Sequence, residues 1–227
     1  MTYSELKDNI KSFLNRSDLT DAQLDIFIDQ TEAELNRKLR TKEMIKRANA
    51  TADSQYLSLP TDWLEVINVE ITSDFRPLFQ QSLESLDVYR RSNDNVVGQP
   101  VYFAVMDDAL ELAPTPDTSY TLQLTYYEKI PALSSSNTSN FLSTNNPDIY
   151  LYGALKHASV FLMEDDRVAL FTQQFDKALE QLRLAQEKAE FGKGSLIEEE
   201  LTEGLKRIYT TTITMNYYGW FFRLLRR

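Results

Sequence analysis

The stretch from Asn145 to Gly192 constrains the fold most, because it carries the longest helical periodicity in the chain. Asn146 and Pro147 are typical of a helix start, one as the N-cap and the other at a position that needs no N–H. The apolar residues that follow form one broad stripe, which indicates a helix lying mostly inside a core. They are Leu151, Leu155, Ala158 and Leu162, flanked by Ile149, Tyr152, Ala154 and Phe161.

A second helix is predicted to follow an acidic corner at 164–166, whose carboxylates suit the positive end of the helix dipole. Its apolar residues alternate in spacings of three and four, the pattern of a coiled-coil seam. They are Val168, Phe171, Phe175, Ala178, Leu182, Ala185 and Ala189. Helices of this kind bury their seams against other helices, which favours a scaffolding role.

Two further helices are predicted near the N-terminus, each opened by a capping box: Thr2 with Glu5, and Thr20 with Gln23. Their predicted inward faces are Tyr3, Leu6, Ile10, Phe13 and Leu14, then Leu24, Phe27, Ile28, Thr31, Leu35 and Leu39. The second helix leads into a basic run of Arg37, Lys38, Arg40, Lys42, Lys46 and Arg47. This run is either a solvated helix end or a docking patch for an acidic partner.

The period changes near Thr51 from helical to alternating. Strands are predicted around 67–71, 101–106, 110–112 and 120–126, with a short strand at 76–79 and a short helix at 82–91. This stretch therefore predicts an antiparallel unit of about four to five strands. The polar segment from Pro131 to Asn146 is interpreted as a loop or linker.

Together these elements predict an α+β fold that is mainly α, in which a small antiparallel β insertion interrupts a four-helix bundle. Neither helical pair can bury its seam alone, so the two pairs are expected to pack together. The expected organisation is helices 1 and 2 in 1–50, the β insertion in 51–134, helices 3 and 4 in 135–192, and an extended C-terminal docking arm in 193–227.

The sequence supplies little of the chemistry that enzymes need. It has no cysteine, only 6 glycines, none grouped as a phosphate-binding loop, and one histidine, His157. A lone histidine on an apolar helix is more often packed than catalytic. We therefore predict no catalytic, cofactor-binding or metal site, and no enzyme. The net charge of −10 also argues against a protein that grips nucleic acid over a broad basic face.

The chain ends in an aromatic and basic segment that composition does not explain. Its candidate docking residues are Tyr217, Tyr218, Trp220, Phe221, Phe222, Arg223, Arg226 and Arg227. Three interpretations are open: a frayed terminus, a membrane-surface segment, or an anchor that fits a protein groove. The anchor is preferred, because disordered tails seldom carry aromatic residues at this density.

The middle of the chain resembles the head-to-tail adaptor, or head-completion, proteins of tailed bacteriophages. The resemblance rests on the order of weak motifs, together with the opening Met1-Thr2-Tyr3-Ser4-Glu5-Leu6. The motifs are Leu59-Pro60-Thr61-Asp62-Trp63-Leu64; Gly98-Gln99-Pro100 with Tyr102-Phe103-Ala104; Leu110-Glu111-Leu112-Ala113-Pro114-Thr115-Pro116-Asp117; Leu124-Thr125-Tyr126-Tyr127; and Asn146-Pro147-Asp148 with Leu151-Tyr152-Gly153-Ala154-Leu155. It covers residues 1–192, and the residues from Gly194 onward match no pattern of the family.

The resemblance implies a dodecameric ring that docks under the portal protein at one capsid vertex, continues the DNA channel and receives tail or neck proteins. DNA would pass without specific binding, and no membrane would be involved. The protein would be assembled in the host cytoplasm and reside in the virion neck. Leu170 and Leu184, on the side of their helix away from the seam, are candidate subunit contacts or simply scattered surface leucines.

Two rival functions remain at this point. One is a membrane- or nucleic-acid-binding accessory protein that acts through the aromatic and basic C-terminus. The other is a hydrolase with His157 as its base, although no glycine-flanked serine accompanies that histidine.

Overall fold

A computed structural model of the chain describes residues 1–163 and 166–189. The chain divides into two compact units, Met1–Ala178 and Leu179–Arg227. In the second unit the described residues are 179–189, and they are helical.

Six helices are found in the described part of the chain. They are α1 (Tyr3–Leu14), α2 (Asp21–Lys38), α3 (Leu83–Ser92), α4 (Phe141–Asn145), α5 (Pro147–Phe161) and α6 (166–189), and a 3-10 turn lies at Lys42–Met44. Both N-terminal capping boxes are confirmed, since Thr2 and Thr20 each exchange hydrogen bonds with the residue three positions on. Pro147 opens α5 as predicted, but the side chain of Asn146 makes no cap hydrogen bond.

The strands form two four-stranded sheets within the described residues. They are β1 (Ile45–Ala52), β2 (Tyr56–Ser58), β3 (Trp63–Ile71), β4 (Arg76–Pro77), β5 (Phe79–Gln80), β6 (Tyr102–Met106), β7 (Ala109–Ala113) and β8 (Tyr120–Glu128). The first sheet has the order β1-β8-β3-β4 and the second β2-β7-β6-β5. Neighbouring strands are antiparallel except β5 and β6, which are parallel.

The two sheets share one apolar core, which means that their inner faces pack together. Val69, Leu122 and Leu124 of the first sheet belong to the same buried cluster as Phe103 and Leu110 of the second. The prediction of a mainly α four-helix bundle with a small β insertion is therefore wrong. The fold is a mixed α+β fold whose sheets have a core of their own.

The physical reason for this error lies in β1 and in the pairing order. β1 reads Ile-Lys-Arg-Ala-Asn-Ala-Thr-Ala, and its inward alanines give almost no hydrophobic alternation. The alternation of apolar and polar residues therefore did not predict this strand, although it pairs with β8 along its whole length. The chain also crosses between the sheets at Leu78, between β4 and β5, which a list of strands does not reveal.

Most of the predicted helical faces are correct. All six residues predicted to face inward from the second helix are buried: Leu24, Phe27, Ile28, Thr31, Leu35 and Leu39. The predicted α6 seam is buried only in part: Phe171, Phe175 and Ala178 are buried, Val168 and Leu182 are half-buried, and Ala185 and Ala189 are exposed. Two aromatic residues were placed wrongly, since Phe13 is 54% exposed and Phe161 is 52% exposed.

The predicted linker is an ordered part of the fold in the structure. Glu32 accepts a hydrogen bond from the backbone N–H of Leu133 at 2.8 Å, and the N-terminal amine of Met1 donates to the Ser143 carbonyl at 2.9 Å. The short helix α4 within this segment was missed. Asn140 and Ser143 form its capping box, a signal that was present in the sequence.

Candidate interaction surfaces

An ion cluster joins three helices at the centre of the first unit. The carboxylate of Glu34 on α2 binds Lys156 of α5 and, at 2.8 Å, Lys38 one turn further along α2. Lys38 also lies 3.6 Å from Asp176 of α6. Burial alone would raise the pKa of Glu34, but hydrogen bonds from Lys156 and Lys38 outweigh it and lower the pKa to about 2. The cluster fixes how α2, α5 and α6 meet.

The same cluster explains His157, the single histidine of the chain. Its Nε2 lies 3.3 Å from a Glu34 oxygen, but not in hydrogen-bond geometry. Burial lowers the pKa of His157, and the nearby charge of Lys156 lowers it further, so the imidazole is neutral at pH 7. Its carboxylate neighbour is already shared by lysines. His157 is therefore a half-buried side chain packed beside an ion cluster.

The basic run that follows α2 is largely paired with carboxylates. Lys46 binds Asp62 at 2.6 Å and Glu128 at 3.0 Å, and Arg40 binds Glu65 at 2.7 Å. The Arg40 pair ties the end of α2 to β3, whereas the Lys46 pairs lie within the β unit, because Lys46 belongs to β1. This pairing favours an internal structural role over a docking patch for an acidic partner.

The end of α5 presents an apolar corner, which we define as Val160, Phe161 and Met163. All three side chains are exposed, and Met163 is 88% exposed. The ring of Phe161 packs against the ring of buried Phe27, with centroids 5.5 Å apart. This contact anchors the apolar corner to α2. Sequence reasoning missed it, because the helical stripe predicted that Phe161 would face inward.

The predicted subunit-contact residues both lie on the surface of α6. Leu170 is 50% exposed in the first unit, and Leu184 is 44% exposed in the second. Leu170 lies in the same unit as the apolar corner. Phe175 of α6 lies against Gly153 and Lys156 of α5, and along the chain Leu170 lies between Phe175 and the end of α5. The predicted docking residues at the C-terminus, from Tyr217 to Arg227, lie outside the described residues.

Among the described residues, no group of three or more histidine or acidic side chains is arranged to hold a metal ion. No helix in that part of the chain is both long enough and apolar enough to cross a membrane. The features that stand out are instead exposed apolar side chains on a rigid, ion-paired helical framework. These features define a class of protein that acts through contact surfaces.

The family model of the SU10 adaptor protein matches residues 1–195, and the chain belongs to this family of phage head-to-tail adaptors. It is therefore a bacteriophage adaptor and a structural component of the virion neck, which interacts with head and tail components of the phage. The match confirms the family that the ordered sequence motifs suggested. No curated protein matches the chain.

Proposed function

We propose that this adaptor forms a dodecameric ring of identical subunits under the portal protein. The ring continues the DNA channel and gives tail or neck proteins a platform, and the protein performs no catalysis. The observation that carries the proposal is the family match across residues 1–195, joined to exposed apolar residues on the helical unit.

The exposed residues fit the geometry that a ring requires. In a closed ring each subunit offers two different surfaces to its two neighbours. The apolar corner and Leu170 form one candidate surface, held by α5 and α6. A monomer gains nothing by exposing Met163 and Phe161 to water, whereas burying such side chains against a neighbour contributes about 1.5–3 kcal/mol for each one fully covered.

The charge of the chain fits a passage for DNA. Acidic residues outnumber basic ones by 34 to 24, and the formal net charge is −10. A lumen that shares this sign would repel phosphate groups and let DNA pass through the ring without binding to it.

The segment 193–227 is proposed as the arm that docks into the portal. Its last eleven residues include Trp220, Phe221 and Phe222 followed by arginines. Aromatic and arginine side chains supply most of the binding energy at protein interfaces. In this proposal the arm supplies a second contact, between the adaptor and the portal.

Cryo-electron microscopy of the full-length protein mixed with its portal protein tests the proposal. We expect twelvefold density for the adaptor beneath the portal, and we expect Trp220→Ala with Phe222→Ala to reduce portal binding strongly. Phe75→Ala is the matched control, because Phe75 is an exposed aromatic residue on a turn of the β unit. A portal that stays bare at saturating adaptor concentration would refute the ring.

Binding tests on the same arm distinguish the proposed function from the rival one, a membrane- or nucleic-acid-binding accessory protein. Salt-titrated binding of full-length protein to duplex DNA and to anionic liposomes should be negligible if the arm recognises a protein. Strong, salt-sensitive binding that Arg223→Gln, Arg226→Gln and Arg227→Gln abolish would support the membrane- or nucleic-acid-binding function instead.

A further inference from the structure

Among the strands of the described residues, β1 lies at one edge of the first sheet. β1 pairs with β8 on one side and is the terminal strand of its sheet. An edge strand of eight residues presents a row of backbone N–H and C=O groups that can pair with another strand. The charged residues of β1, Lys46 and Arg47, lie near its start, and the rest of the strand from Ala48 to Ala52 carries no charge. Lys46 is held by Asp62 and Glu128.

An apolar cavity of about 210 Å³ lies beside this edge. Ala48 and Ala50 of β1 line it from one sheet, and Leu57 and Leu110 line it from the other. Because the inward residues of β1 are alanines, the space between the sheets is not filled at this edge. An apolar cavity of about 150 Å³ can hold a benzene ring, so this cavity has room for a large side chain from outside.

The chain contains a segment that matches this edge. Residues 209–215 read Tyr-Thr-Thr-Thr-Ile-Thr-Met, so one face carries threonine at 210, 212 and 214 and the other carries Tyr209, Thr211, Ile213 and Met215. Such β-branched alternation is typical of a strand with one apolar face. The segment carries no charge, has seven residues against the eight of β1, and precedes the proposed portal-docking residues, so one arm can serve both contacts.

We infer that residues 209–215 of one copy add to the free edge of β1 in a neighbouring copy and place an apolar side chain in the cavity. This inference rests on the proposed ring and names the surfaces that join its subunits. Copies with a net charge of −10 repel each other, so an uncharged strand and the uncharged part of the edge, Ala48 to Ala52, are suited to bring them together. Tyr209 lies twenty residues beyond Ala189, a span of up to about 66 Å when extended, which reaches a neighbour.

Strand addition of this kind obtains affinity from backbone hydrogen bonds and specificity from side chains that enter pockets. It also supplies a head-to-tail contact, because the donor segment and the acceptor edge are different surfaces. Repeated around the axis, each subunit donates to one neighbour and accepts from the other.

Disulfide trapping in the full-length chain tests the inference, since the protein has no cysteine of its own. One tagged copy carries Asn49→Cys on the exposed face of β1, and a differently tagged copy carries cysteine in place of Thr210, Thr212 or Thr214. The copies are mixed with portal protein and oxidised. We expect a disulfide between the differently tagged copies for one or two of the three positions. Ser73→Cys, exposed on a turn of the same unit, is the collision control and should not cross-link.

A second variant probes the cavity. Ala50→Leu fills it from within, so we expect the free protein to keep its fold and the cross-link yield to fall. Two outcomes would overturn the strand exchange but not the ring. One is that rings form on the portal without any cross-link. The other is that, when Asn49→Cys and Thr212→Cys are combined in one chain, the disulfide forms only within that chain. Cross-links without a ring would uphold the exchange and refute the proposed function, and the absence of both would refute both.

Discussion

Gly153 marks the closest approach of the helices in the first unit. A Cβ atom built there would lie 2.4 Å from Cγ2 of Thr31 and 3.0 Å from the ring of Phe175. The hydroxyl of Thr31 is bound to the Phe27 carbonyl at 2.8 Å, so its methyl group cannot easily turn away. One missing methyl group therefore sets the separation of α2, α5 and α6.

We predict that Gly153→Ala destabilises the protein by about 1–2 kcal/mol. Alanine favours a helix over glycine by up to about 1 kcal/mol, but overpacking costs about 1–3 kcal/mol and wins at this contact distance. Chemical denaturation measures the change. Gly98→Ala is the control, because nothing lies within 4 Å of a Cβ at Gly98. Adding Thr31→Ala to Gly153→Ala should recover part of the loss, and a Gly153→Ala protein as stable as the parent would contradict this account.

Glu32 is a buried carboxylate whose titration affects stability. It is 5% exposed and accepts hydrogen bonds from the Leu133 N–H at 2.8 Å and the Tyr150 hydroxyl at 3.2 Å. Burial raises the pKa of Glu32 to about 7, even though both hydrogen bonds act to lower it. Its pKa in the folded state is therefore above the unfolded value of 4.5, and the fold favours the protonated form.

Protonation of Glu32 therefore contributes to the free energy of unfolding at low pH. This contribution should fall as the pH rises from about 4.5 to 7 and should be absent above pH 7. We predict that Glu32→Gln removes this loss and stabilises the protein by roughly 1–3 kcal/mol at pH 8, with little effect at pH 4.5. Denaturation at a series of pH values measures it. Glu84→Gln, on the exposed face of α3, serves as the control. If the free energy of unfolding of Glu32→Gln changed with pH in the same way as that of the parent, the titration of Glu32 would not be the cause of the loss.

At the scale of elements, local signals predicted most helices and strands but not their arrangement. Capping residues placed α1 and α2, and alternation placed β8, because both signals act within a few residues. Ile67 shows the limit: a register shift between Val66 and Asn68 breaks the alternation of β3 and turns Ile67 outward. Such a bulge, the pairing of β1 with β8 and the face-to-face sheets depend on distant partners that no local pattern contains.

The candidate surfaces were predictable to a similar degree. Leu170 and Leu184 were expected outside the seam, and both are exposed. The apolar corner was not foreseen, because α5 ends at Phe161 and the following Met163 adopts a positive φ of 56° that leaves the helix. The position at which a helix ends determines which of its apolar residues are buried. Hydrophobic periodicity alone does not predict that position.

A buried ion pair connects α3 to β7. Arg90 of α3 binds the carboxylate of Glu111 and also donates to the Leu112 carbonyl at 2.7 Å, while Gln55 donates to Glu111 at 2.9 Å. Both charged side chains are nearly buried, at 12% and 8% exposure. The pair orders α3 against the second sheet, but its desolvation costs about as much as its attraction gains.

We therefore predict that Arg90→Met alone destabilises the protein by about 3–5 kcal/mol, because Glu111 is left buried without its partner. Combining it with Glu111→Leu should return most of that loss, since no unpaired charge then remains. Thermal and urea unfolding of both variants measure the coupling. Arg91→Met is the matched control: its side chain is exposed on the same helix, and its loss should matter far less. A double variant no more stable than Arg90→Met would show that the pair contributes net stability.

For the molecule as a whole, the groups that hold the fold together are separate from the exposed leucines of α6. The ion cluster around Glu34 and the core between the sheets lie within the first unit, whereas the exposed leucines of α6 contribute little to either. In the proposed ring, these exposed apolar residues would be covered by a neighbouring copy. Substitutions at those residues should consequently separate folding from assembly.

We predict that Leu170→Gln and Leu184→Gln, made singly, leave the thermal unfolding of the free protein within about 0.5 kcal/mol of the parent, as expected for surface changes. Each should weaken ring formation on the portal by about 1–2 kcal/mol per contact, and a tenfold change in affinity corresponds to about 1.4 kcal/mol. Co-sedimentation with portal protein and native mass spectrometry measure the loss. Val88→Gln is the control, since Val88 is exposed to a similar extent on α3. If Leu170→Gln and Val88→Gln assemble equally well, α6 does not face a neighbour, and the ring must be held by other surfaces.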